Sequence, residues 1–188
     1  AIRCFLNIPA APEPVEFFCD LNGDGSEGTC DGQTLVCNYM SWTDVCAYAD
    51  WAGLRPMSEL EFEKATRGPN TPVFSENAWG NTNVASGHLS LSNYGCPDSE
   101  RHLNPVVNTG RALCSWTYTI GGVLLRCGEF ASSSVNHTRQ EAGAGYYGVM
   151  EMSGSLAEPI VTLGNVAGRS YRANNGNGEL NAAGYADV

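Results

Sequence analysis

Two capping signals inside one short stretch, Ser41 to Gly68, constrain the fold of this chain more than any other feature. Ser41 precedes Asp44 by three positions, and Ser58 precedes Glu61 by three. At that spacing a hydroxyl and a carboxylate reciprocally satisfy the bare N–H groups of a helix's first turn, and the acid meets the positive end of the helix dipole. Val45, Tyr48, Ala49 and Ala52 recur at threes and fours, which predicts one apolar face on a first helix that stops at Gly53. The ring of Pro56 disfavours helical geometry at Arg55, so Leu54 to Met57 reads as extended. A second helix then runs from Ser58 to a firm stop at Gly68-Pro69. Glu59, Glu61 and Glu63 are explained by capping and dipole compensation rather than as a catalytic carboxylate cluster. The expectation is a helical pair joined by a tight elbow.

The rest of the chain is poor in long periodic runs. Gly occurs 22 times in 188 residues, which favours a loop-rich architecture, and the length suits one domain with a proper core. Net charge is −10 and Lys64 is the only lysine, a balance that argues against nucleic-acid or anionic-membrane partners. No apolar run reaches the roughly 20 residues of a membrane helix. The segment at Ala1 lacks the basic and apolar regions of a signal peptide, so any such peptide is expected to be already removed.

Eight cysteines, Cys4, Cys19, Cys30, Cys37, Cys46, Cys96, Cys114 and Cys127, form no Cys-x-x-Cys pair, and His88, His102 and His137 are scattered. The even, high count points to disulfides in an oxidising compartment, hence a secreted or cell-surface protein; buried free thiols are the alternative. Connectivity is not readable from spacing. Asn136-His137-Thr138 is a glycosylation acceptor only in a host that glycosylates.

Residues 1–35 read as an N-terminal arm, tethered if Cys4 and Cys19 are both oxidised, and residues 36–188 as the main domain. Within the arm, Asp20, Asn22 and Asp24 alternate, Gly25 follows, and Asp31 stands twelfth from Asp20. Oxygen ligands at alternate positions before a glycine open an EF-hand-type calcium loop; the same composition also makes a plain acidic turn. Residues 69–113 read as long loops with Trp79 as a core anchor beneath them. Cys114 to Ile120, Gly121-Gly122 and Val123 to Cys127 read as a hairpin, and Tyr146 to Met152 as a short strand.

Several blocks together resemble one family. Ser41 to Arg55, Pro56 to Gly68, Asn77-Ala78-Trp79-Gly80-Asn81, and Gly145 to Gly154 follow in the order found in the formylglycine-generating enzyme (sulfatase-modifying factor) superfamily. The resemblance covers roughly residues 36–171 and implies an α+β, C-type-lectin-like fold: loop-rich, disulfide-stabilised, with two short helices and small antiparallel sheets. It implies calcium at Glu158, where the family's Met-Ser-Gly-Asn turn leads to a ligating Glu. In this chain Ser155 replaces the Asn, and Ala157 and Pro159 replace the flanking tryptophans. Gly168 to Tyr171 resembles the start of the family's last core strand, and the likeness weakens beyond Arg172, which leaves open whether the domain continues past Val188. The family's oxidases bind copper(I) between two thiolates placed after that strand, whereas no cysteine follows Cys127 here. Copper is therefore not expected. The resulting expectation is a non-catalytic extracellular module that binds glycan or protein partners, or self-associates into a surface polymer. The alternative is a copper-dependent formylglycine-generating oxidase acting on sulfatase cysteines.

Overall fold

Both capping boxes form. The computed structural model describes residues 4–7, 16–85, 91–102, 111–112, 124–133, 136 and 138–188. Helix α1 spans Trp42–Trp51; the Asp44 N–H donates to Ser41 Oγ at 3.2 Å and the Ser41 N–H to Asp44 Oδ2 at 2.8 Å. Helix α2 spans Glu59–Arg67, and the Ser58 N–H donates to Glu61 Oε2 at 2.8 Å in the same reciprocal arrangement. Gly53 and Gly68 end the two helices with φ of 67° and 64°, the left-handed region that lacks a penalty only for glycine. Residues 54–57 between them belong to no helix, strand or turn.

The face on which α1 packs differs from the expected one. Ala49 and Asp50 are buried and Val45 is half-buried, but Tyr48 and Ala52 are exposed. What covers the helix is the backbone around Gly176, lying so close that a Cβ there would fall 2.2 Å from the Asp50 Cα. The Asn177 and Gly178 N–H groups donate to Asp50 Oδ1 at 2.7 and 3.2 Å, and the Gly176 N–H donates to the Leu54 carbonyl at 2.7 Å. A buried carboxylate oxygen, Asp50 Oδ1, rather than an apolar stripe, therefore fixes which side of α1 is covered.

Helix α2 is held from two directions. Val161 exchanges backbone hydrogen bonds with Met57 and Glu59, and the Tyr146 N–H donates to the Thr66 carbonyl at 2.6 Å. Phe62 and Ala65 pack against a core of Ala78, Trp79, Ala112 and Met152. Trp79 is 2% exposed, as its role of anchor beneath the loops requires. Burying a side chain of this size contributes on the order of 3 kcal/mol.

The strands are short. β1 (Cys4–Asn7) pairs antiparallel with β2 (Glu16–Cys19), with Cys4 directly opposite Cys19. β3 (Leu91–Ser92) pairs antiparallel with β4 (Arg101–His102). Two further helices, α3 (Glu129–Ser133) and α4 (Val166–Arg169), complete the described elements. The class is thus α+β, and its sheets among the described residues are two-stranded.

Two expected strands are replaced by other structure. Tyr146 to Met152 turns rather than extends: the Gly148 N–H returns to the Gly145 carbonyl, and Glu151 adopts φ 63°. A strand's extended backbone cannot persist through a left-handed residue. Gly168 to Tyr171 does not open a strand either, because Asn165 caps a helical turn, its Oδ1 accepting the Gly168 N–H at 2.7 Å. The Cys114 to Cys127 hairpin and its Gly121-Gly122 turn lie largely outside the described residues.

Of the expected disulfides, Cys30–Cys96 is formed, joining positions 66 residues apart. Cys37 and Cys127 carry exposed free thiols and Cys46 a half-buried one, so the expectation of bridges there is not met. Cys114 lies outside the described residues. The boundary after residue 35 is crossed by the Cys30–Cys96 bond, by the Gly32 N–H to the Gly95 carbonyl at 3.2 Å, and by a bridge between Leu35 and Arg126. No helix among the described residues is long and apolar enough to cross a membrane.

Candidate functional site

The covered side of α1 leaves its opposite side bare. Tyr48 and Trp51 stand one turn apart with ring centroids 5.9 Å apart at 40°, and Trp51 is 74% exposed. Leu54 (56% exposed) extends the patch past the helix end. Large side chains with an apolar body and a polar edge, held rigidly on a helix, form a contact surface that loses little entropy on binding.

A cavity of about 260 Å³ opens on the other side of the helical pair, among Phe62, Thr66, Arg67, Glu76, Trp79 and Tyr146. Its charged groups are already engaged. Arg67 Nε donates to Glu76 Oε1 at 2.6 Å and its Nη1 to Glu63, while Arg139 Nη1 donates to the Ala144 carbonyl at 2.9 Å. Hydrogen bonding to Arg67 holds the Glu76 carboxyl below its usual range. The lining residues include no cysteine or histidine.

Burial raises the Cys46 thiol, which makes it a weaker nucleophile and metal ligand at neutral pH.

Near the family-like turn, Glu151 combines a left-handed backbone with a carboxyl pushed up to about 7. Burial is the main cause; the Glu158 and Glu129 carboxylates add to it, and the Gly128 backbone opposes it. Glu151 Oε1 is buried with no hydrogen-bond partner, and Glu158, exposed at its rim, is raised by partial desolvation. Two carboxyls alone fall short of the six to eight oxygen ligands that calcium takes, and no third acidic, His or Cys side chain joins them among the described residues.

The acidic loop of residues 20–31 divides into two parts. Asp20 is fully buried, its Oδ1 accepting the Gly23 and Asp24 N–H groups at 2.8 and 3.0 Å and its Oδ2 the Gly25 N–H at 3.2 Å. Asn22 and Asp24 are exposed; Ser26 and Asn22 hydrogen-bond the Asp24 carboxylate and hold its pKa down. Asp31 is fully buried. Among the described residues no three His, Cys, Asp or Glu side chains already converge as a metal cage.

Asn136, within the glycosylation triplet, is exposed, yet its Nδ2 donates to the buried Glu141 at 2.5 Å and its N–H to the same carboxylate at 2.9 Å. A glycan there would have to displace that pair.

Sequence reasoning missed Glu151 and the outward aromatic face of α1. Glu151 gave no local signal beyond its place before Met152-Ser153-Gly154. The aromatic face had one, since Trp51 stands three residues after Tyr48 and so beside it on the helix. The chain matches no family model, no curated protein and no solved structure.

Proposed function

We propose that this chain is a non-catalytic extracellular binding or assembly module on a C-type-lectin-like scaffold of the formylglycine-generating-enzyme type. It meets glycan or protein partners, including further copies of itself, through the aromatic face of α1. The observation that carries this reading is the outward pair Tyr48 and Trp51, with Leu54 also exposed three residues after Trp51. Clustered apolar side chains of this size in water are the mark of an interaction surface. Secretion is supported by the Cys30–Cys96 bond, which persists in oxidising surroundings. No observation favours the copper-dependent oxidase over this reading.

Sedimentation velocity and a glycan array, run on the wild type and on Tyr48→Ser/Trp51→Ser, test it. The expected result is assembly or glycan retention in the wild type and at least a tenfold loss in the double variant, at an unchanged melting temperature. A wild-type protein that stays monomeric and retains no glycan overturns the reading.

A further inference from the structure

We propose that residues 20–31 bind one calcium ion between Asp20 and Asp31, and that the ion fastens the β1–β2 hairpin to the body of the protein beside the Cys30–Cys96 bond. The inference stands apart from the binding-module reading. Its first support is position. A twelve-residue calcium loop takes ligands at positions 1, 3, 5, 7, 9 and 12 and needs glycine at 6 for its sharp turn. Those places are held by Asp20, Asn22, Asp24, Ser26, Gly28 and Asp31, with Gly25 at φ 78°. Acidic loops arise for other reasons, so position alone does not decide the matter.

The second support is independent and comes from the buried carboxylates. Asp20, Asp31, Asp50, Glu100, Glu129 and Glu141 are each at most 2% exposed. Asp20 is satisfied by its own loop and Glu141 by Asn136, while Asp50 receives the Asn177 and Gly178 N–H groups on Oδ1 and keeps Oδ2 bare. Arg126 lies between Glu100 and Glu129, with the Gly95 N–H also donating to Glu100. Asp31 is the exception: neither of its oxygens has a hydrogen-bond partner. The carboxylate folds back over its own loop, Oδ2 lying 2.6 Å from where a Cβ on Gly28 would sit. Both carboxylates that bound the loop are therefore turned into it, one satisfied and one bare. A buried anion with no donor is costly, and a cation is what its surroundings lack.

The loop is also held for the purpose. Cys30 is bonded to Cys96, and the Gly32 N–H donates to the Gly95 carbonyl. Position 12 is thus fixed to the body, while position 1 follows Cys19 at the end of β2. Asp24 is the ligand that has to move, since its carboxylate is turned outward to Ser26 and Asn22. An aspartate at position 12 reaches one carbon less than the usual glutamate, which places the affinity near the roughly 10⁻⁴–10⁻³ M of extracellular modules.

The test uses the chelator-treated full chain, titrated with calcium chloride to about 10 mM by calorimetry and followed by melting temperature. Two variants accompany it: Asp24→Ala, at an exposed position, and Asp31→Asn, which removes the bare carboxylate. One binding event and a rise in melting temperature are expected for the wild type. Asp24→Ala is expected to weaken binding at least tenfold while still unfolding in one cooperative transition without calcium. Asp31→Asn is expected to melt higher than wild type without calcium and to lose the response to it. No heat and no shift up to the highest concentration overturns the proposal. So does an unchanged affinity in both variants, which would place the ion elsewhere, or an equal response to magnesium, which would mean general charge screening.

Discussion

Glu61 closes the capping box of α2 and also receives Arg55, whose Nη1 and Nη2 donate to its two oxygens at 2.9 and 2.5 Å. The Arg55 hydrogen bonds, followed by the Ser58 N–H, hold its carboxyl at about 2 against an ordinary value of 4.5. A carboxyl lowered on folding stabilises the native state above its unfolded pKa and loses that contribution as pH falls through the folded one. The wild type is therefore expected to lose stability between about pH 4.5 and 2, and Glu61→Gln to flatten that part of the profile. Urea unfolding across the acid range checks this; identical slopes would show that the pair is too exposed to matter. Asp31 poses the opposite case, a carboxylate that folding leaves with nothing to accept.

At the scale of elements, the two helices were legible because everything that starts and stops them lies within a few residues. Ser58→Ala is expected to cost about 1 kcal/mol and Ser58→Gly only a few tenths, since glycine tolerates the cap backbone without the hydroxyl. Denaturant midpoints for the two variants separate a capping role from simple packing, which would rank them alike. Ser41→Ala should follow the same order at α1. Legibility ended where distant parts of the chain decide. The apolar run Tyr146 to Met152 reads as a strand, but the segment docks on Thr66 of α2 and turns there. Likewise the stripe Val45, Tyr48, Ala49, Ala52 was correct as a pattern and off by one flank as a packing face, because Asp50 recruits residues more than 120 positions away. No window of sequence contains that contact.

For the whole molecule, the cysteines announced cross-links without naming partners, since pairing depends on the path of the chain. The Cys30–Cys96 bond spans 66 positions and joins the acidic loop to the turn at Gly95. Restricting the unfolded chain over such a loop stabilises by roughly 4 kcal/mol in the chain-entropy picture. Cys30→Ser/Cys96→Ser is expected to lose an amount of that order in equilibrium unfolding. A loss under about 1 kcal/mol would mean that residues 20–31 unfold apart from the rest.

The socket that Asp50 offers to Asn177 and Gly178 bears on how this polypeptide tolerates shortening. Trimming back to Tyr171 would strip a concealed acid of its donors and bare a second flank of α1. Such a fragment would be prone to clump even though every residue of the Trp79 cluster were retained.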